Sequence, residues 1–235
     1  MKRVLSLLLT LVLMLSVLPV SASATSQKKR DGFDVGNTIT YGNYEQDNDF
    51  TNGPEEINWL IIDRDKNNRI LVISQDIIES LPYGLEDEDA TWEFSIVRLY
   101  LNNDFYEDAF DGLDTDIICE VDVNTPDGRS GTSGGAITLD KIFILSVEQM
   151  QKYFPKEMDR KSKPTEFAKE WDAEYDKYGW GWYWARNPGK EQDMAAGIHV
   201  GGGINFDGRD VGNCEGVRPA MWLDLNILNE KIANQ

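Results

Sequence analysis

The chain has 235 residues, with 23 Lys+Arg against 41 Asp+Glu, one His and two Cys, for a formal net charge of -18. Such acidity excludes nucleic-acid binding by bulk electrostatics, which needs clustered Lys and Arg. One His excludes a multi-imidazole metal site, and two Cys exclude a four-cysteine zinc site, a conventional iron–sulfur site and a dense disulfide scaffold. The 41% hydrophobic and 11% aromatic content is enough for a packed core. No metal and no cofactor is expected.

Residues 1–24 read as a secretory signal peptide. Lys2 and Arg3 precede an apolar run over residues 4–18, Pro19 ends it, and Ala22-Ser23-Ala24 forms a small-residue cleavage site. The run is short for a membrane span. The expectation is therefore an extracellular protein with no stable membrane insertion. Residues 25–32 read as a flexible lead-in, and residues 33–235 as one globular domain.

Residues 38–41 read as a strand. Residues 57–63 and 69–74 read as two strands of a hairpin joined by the polar turn 63–68. A helical period follows over residues 95–110, with Ile96, Leu99, Phe105 and Phe110 on one face and a break at Asn102-Asn103. Residues 117–123 and 141–145 read as strands around a Gly/Ser/Thr loop at 126–135. Ser146 and Gln149 have capping-box spacing for a helix to about residue 154. Pro164 suits the first turn of a helix up to Trp171. Short strands are expected at 180–186, 197–200, 204–206 and 217–223. Without a βαβ rhythm, the fold class is α+β, with mixed, mainly antiparallel short strands and a few helices.

The acids of residues 86–116 have Arg98 as their one basic neighbour. Lys152, Lys156, Arg160, Lys161, Lys163 and Lys169 form a basic cluster. Both read first as solvated surfaces. Asp63-x-Asp65-x-Asn67 and Asp47-x-Asp49-x-Thr51 have the opening spacing of a calcium loop. Neither has Gly at the sixth position or an acid at the twelfth, so both read as turns. His199, the one histidine, reads as structural or surface, and no G-x-S-x-G is present. Cys119 and Cys214 can form a disulfide in a secreted chain, which would be worth about 4–5 kcal/mol in the loop-entropy model. Free structural thiols, or a reactive Cys214, are the alternatives.

Trp180-Gly-Trp182-Tyr-Trp184-Ala-Arg186 places three indoles and a guanidinium on one face of a strand. This stripe reads first as a core wall, and second as a stacking platform for sugar rings. Gly216-Val-Arg-Pro-Ala-Met-Trp-Leu223 places Arg218, Ala220 and Trp222 on one face, with Pro219 marking an edge or bulge. Arg186 and Arg218 in apolar strands need partners, with Arg186 reaching a carboxylate or carbonyls at the edge of the stripe, and the acidic excess makes partners easy to find.

These two motifs, Tyr183-Trp-Ala-Arg-Asn-Pro-Gly189 and Val217-Arg-Pro-Ala-Met-Trp-Leu223, resemble those of a family of uncharacterised secreted bacterial domains with the pattern W-W-x-R-S-P-G followed by V-R-P-A-x-W-L. Tyr183 and Asn187 depart from that pattern. The resemblance extends upstream to Gly36–Tyr44, Ile57–Leu60, Ser95–Tyr106 and Lys141–Ser146, and it brings no established activity. The chain is also loosely similar to C-type-lectin-like and formylglycine-generating-enzyme (sulfatase-modifying-factor) folds. It lacks the lectin calcium signatures, the copper-binding cysteine pair and a multi-His site.

The resulting expectation is a non-catalytic binding domain for a glycan or protein at the cell surface, with Trp182, Trp184, Arg186, Asn205, Asp207, Arg209 and Arg218 as ligand-binding residues. The alternatives are an extracellular carbohydrate hydrolase using paired carboxylates and an envelope scaffold. The balance leans against an enzyme.

Overall fold

A computed structural model describes residues 32–233. The expected signal peptide and nearly all of the lead-in lie outside these residues. The first half contains β1 (Thr38–Tyr44), β2 (Glu55–Arg64), β3 (Arg69–Ser74), β4 (Glu79–Pro82), α1 (Ile96–Asn102), α2 (Asp104–Ala109), β5 (Ile118–Cys119) and β6 (Val121–Val123). After a loop come β7 (Thr138–Asp140), β8 (Ile142–Ile144), α3 (Val147–Tyr153), α4 (Glu157–Arg160) and α5 (Glu166–Glu170). The chain ends in β9 (Tyr183–Pro188), β10 (Met194–Ile198), β11 (Ile204–Asp210), β12 (Cys214–Val217), β13 (Pro219–Asp224) and α6 (Leu225–Ala233).

One sheet runs β1-β2-β3-β13-β5, with β8 also on β13; a second runs β11-β10-β9-β12-β4; β6 and β7 form a separate hairpin. Pairing among the named strands is antiparallel except for one parallel contact between β12 and β9. The architecture is thus α+β with mainly antiparallel strands. No described helix is long and apolar enough to cross a membrane.

Side chains from both sheets share one apolar cluster, whose largest fully buried members include Trp59, Trp92, Trp182, Trp184, Tyr83 and Tyr183. The hairpin at residues 63–68 forms as expected. Asp65 Oδ1 accepts the amides of Asn67 and Arg69, and Asn68 takes the left-handed conformation that an Asn tolerates (φ 63°). The break at Asn103 separates α1 from α2. Their buried face differs from the expected one. Val97, Leu101 and Phe105 point inward, while Leu99 is 52% exposed. Ser146 and Gln149 form a complete capping box on α3.

Three expectations are corrected. Pro164 precedes α5 rather than opening it, because Thr165 caps that helix through the Ala168 amide. Residues 117–123 split at Glu120 into β5 and β6, which belong to different sheets. Residues 217–223 likewise split at Arg218: β12 lies in one sheet and β13 in the other. Pro219 is therefore not on an edge. It opens a central strand, where the missing amide donor is tolerated.

Candidate functional site

The aromatic–Arg strand is a wall of the core. Trp182 and Trp184 are fully buried and meet edge to face, with centroids 4.8 Å apart. Trp184 Nε1 donates to the Leu81 carbonyl at 2.9 Å, and Tyr83 packs against its ring. Trp182 and Trp184 are closed to an external ligand, as in a core wall, whereas Trp180 lies before β9, is half-buried and has the Lys161 and Lys163 ammoniums 5.5 and 5.3 Å from its ring centre.

Arg186 is also buried, yet its guanidinium reaches the wall of a cleft. Its Nε donates to Thr125 Oγ1 at 3.0 Å. Its Nη2 donates to the Asn124 carbonyl at 2.9 Å and to Gln149 Oε1 at 3.2 Å, and Nη1 donates to the Ile144 carbonyl. All four acceptors are neutral oxygens, two of them backbone carbonyls, so of the two expected kinds of partner Arg186 takes carbonyls and no carboxylate. Burial pulls the Arg186 pKa down to about 10, so the side chain stays charged at neutral pH. Asp140 and Glu148 support the charge at longer range.

That cleft encloses about 660 Å³, within the range of small-molecule sites. Trp222 forms one wall, with the Arg69 guanidinium 5.4 Å from its ring centre. Val123, Phe143, Ser146 and Arg186 are its buried members, Gln149 is half-buried, and Glu120, Asp122, Asn124 and Leu139 are exposed. It therefore joins an apolar ring face to donors and acceptors of both charge signs. Trp222 and Arg186 come from the two sequence motifs, which the fold brings to one place. The other members were missed in the sequence. Arg69 looked like part of a hairpin, and the loop between β6 and β7 hides the pairing that carries Glu120 and Asp122 to the cleft.

The remaining expected ligand residues do not join this site. Arg218 is buried. It donates from Nε to the Ser74 carbonyl at 2.8 Å and from Nη2 to the Gln75 carbonyl at 3.4 Å, and it packs near Phe154 and Tyr183. Asn205 and Asp207 sit on the edge strand β11, where Asn205 closes a turn with the Gly208 backbone and Asp207 is exposed. Arg160, counted with the surface bases, is buried and donates to the carbonyls of Gly202 and Phe154.

Arg209 lies in a second, shallower cavity of about 650 Å³ with Asp172, Glu174, Asp210, Cys214 and Glu215. Its Nη1 pairs with both Glu174, at 2.5 Å, and Glu215, and its guanidinium lies 4.7 Å from the Trp182 ring centre. The hydrogen bond from Arg209 holds the Glu174 pKa low, whereas burial raises that of Glu215.

Cys119 and Cys214 are both free, which corrects the disulfide expectation. Cys119 pairs with Trp222 in one sheet and Cys214 with Pro82 in the other. Burial, then the charges of Asp172 and Glu215, push the Cys214 thiol up, so it is not an activated nucleophile. His199 is exposed, and its Nδ1 accepts the Gly201 amide within a turn. Glu45, Asp47 and Glu55 bring three carboxylate oxygens within 4.8 Å. Backbone amides of residues 46, 47 and 49 already bond to them, as in an acidic turn.

Fold and site together define an α+β domain with a ligand-sized, aromatic-walled cleft. Residues 67–225 match the family model described as Domain of unknown function (DUF6273), and the chain belongs to that family. The matched segment contains every residue of both cavities. No curated protein and no solved structure matches the chain.

Proposed function

We propose that this is an extracellular, non-catalytic carbohydrate-binding domain whose ligand sits against Trp222. The cleft composition carries this reading. An aromatic face can cover the C–H side of a sugar ring, while Arg69, Arg186, Gln149, Glu120 and Asp122 offer groups for its hydroxyls. Export rests on the signal-peptide pattern of residues 1–24. A lectin-like or sulfatase-modifying-factor-like arrangement is proposed with it, supported by the aromatic–Arg segment that enters β9 and the V-R-P segment that joins β12 to β13.

In the Arg209 cavity, the hydrolase alternative would pair Glu174 with Glu215. Their shared partner, the Arg209 guanidinium, lies between them, where a scissile bond would have to sit. This favours binding over hydrolysis. Binding is tested on an oligosaccharide array followed by calorimetry. Trp222→Ala is expected to weaken the selected sugar by about tenfold or more, and Glu120→Gln and Asp122→Asn to change its selectivity. An array with no binder, or affinity unchanged in Trp222→Ala, would sink the proposal.

A further inference from the structure

Aromatic rings and lysines alternate at the surface over residues 161–181. After α4 the backbone is extended at Lys161. Three main-chain hydrogen bonds then fix its path. The Gly181 amide donates to the Ser162 carbonyl at 2.9 Å, the Ile77 amide to the Lys163 carbonyl at 2.9 Å, and the Thr165 amide to the Ile77 carbonyl at 3.0 Å. Ser162 and Pro164 are buried, so the alternation of an extended segment turns Lys161 and Lys163 the other way. Both ammoniums reach the Trp180 ring, at 5.5 and 5.3 Å from its centre. The pattern repeats beyond α5. Lys169 lies 5.3 Å from the Tyr175 ring and Lys177 5.0 Å from the Tyr178 ring, and both tyrosines are exposed. Lys169 pairs with Glu166. Lys161, Lys163 and Lys177 form no ion pair with any described residue, although the chain holds 41 acids. Asp76 feels the Lys163 charge at longer range. Of the acids at residues 171–181, Asp172 lines the Arg209 cavity and Glu174 pairs with Arg209. Asp176 Oδ1 accepts the Tyr178 and Trp180 amides, each at 2.9 Å, which fixes the turn that carries both rings.

We infer that this face binds an acidic polysaccharide, with Trp180, Tyr178 and Tyr175 against its sugar rings and Lys161, Lys163 and Lys177 on its anionic groups. A ring presents an apolar body to a sugar, and a free ammonium presents three donors to the acid group the sugar carries. Repetition favours a polymer. Ring and ammonium recur together along one segment, which suits successive charged units of a chain better than one small anion. A lipid surface is the poorer partner, because the half-buried Trp180 ring cannot sink into the acyl boundary as an interfacial anchor must. The overall negative charge leaves room for this contact. At 0.15 M salt the screening length is about 8 Å, so distant acids are largely screened while ammoniums in contact are not. The face shares no residue with the Trp222 cleft and stands whether or not that cleft binds a sugar.

The test is calorimetry of the full domain with four probes: oligogalacturonate, dextran sulfate, uncharged dextran and phosphatidylglycerol vesicles. Binding of either polyanion and not of dextran is expected, and it should weaken as salt is raised from about 0.01 M to about 0.15 M. Preference between the two polyanions assigns carboxylate or sulfate as the recognised group. Lys161→Gln combined with Lys163→Gln is expected to weaken binding about tenfold. Tyr178→Ala, at an exposed ring, is expected to weaken it about threefold. Lys66→Gln, at an exposed position of the 63–68 turn, removes a like charge and is expected to leave affinity unchanged. Binding of dextran as tight as that of the polyanions overturns the proposal, as does preference for the vesicles or no binding of either polyanion. So does an affinity that Lys66→Gln lowers as much as the lysine pair does, or one unchanged in both the lysine-pair and Tyr178 variants.

Discussion

Gly197 shows how tightly single residues are set in this core. It stands on β10 opposite Trp184, and a Cβ there would lie 2.2 Å from the Trp182 ring. Gly197→Ala is expected to destabilise the domain by about 1–3 kcal/mol through overpacking, read as a lower urea midpoint with unchanged slope. Glu79 makes a prediction of a different kind. Its Oε2 accepts the hydroxyls of Tyr44 at 2.6 Å and Tyr100 at 3.1 Å, yet burial raises its pKa above the ordinary value. A raised folded-state pKa means that its stabilising contribution is full below the unfolded value, about 4.3. That contribution is lost as pH rises through the folded value. Urea midpoints measured across this range should lose that component of pH dependence in Glu79→Gln. The arginines of the two motifs were legible as buried charges needing partners. Their actual partners were not, because carbonyls of β8, of the segment after β3 and of the loop after β6 come from distant parts of the chain.

At the scale of elements, local signals were read well where the partners are close in sequence. The 63–68 turn, the break at Asn103 and the capping box of α3 depend on side chains bonding backbone only a few residues away. Longer-range features were not legible. The strands β4 and β7 are short and lack a two-residue period, and β6 finds β7 only across the loop 124–137. One buried carboxylate joins several of these pieces. Asp140 of β7 accepts Trp92 Nε1 at 2.8 Å, Thr138 Oγ1 at 2.6 Å and Arg98 Nε of α1 at 2.6 Å. Asp140→Ala leaves Arg98 and Trp92 without that acceptor and should cost about 3–5 kcal/mol, measured by equilibrium denaturation. The loss should also loosen the β6–β7 hairpin, which carries one side of the Trp222 cleft.

For the whole molecule, charge was the most accessible property in the sequence. A net charge of -18 implies self-repulsion in the compact state. Raising salt from 0.01 M to 0.15 M shortens the screening length from about 30 Å to about 8 Å. The thermal midpoint should rise over that interval in a chloride salt, as calorimetry can follow. The thiols give a second whole-chain test. Denatured, unreduced protein should titrate two thiols with a colorimetric disulfide reagent, and in the native protein Cys214 should react before the less exposed Cys119. The site itself was legible only in part. Arg186 and Trp222 stood out as motif residues, but the cleft between them is a product of two sheets and a hairpin meeting.

The passage of the chain through Arg218 bears on how the molecule comes apart. β12 and β13 belong to different sheets, and Arg218 is the sole residue between them. Its side chain is held by carbonyls at the end of β3. Such a stitch leaves no slack for one sheet to slide or peel while the other stays intact. Amide protons of β9 and of β3 should therefore exchange with a common opening free energy, as parts of one cooperative unit. A widened connection, made by inserting glycines after Arg218, should split that single event into two.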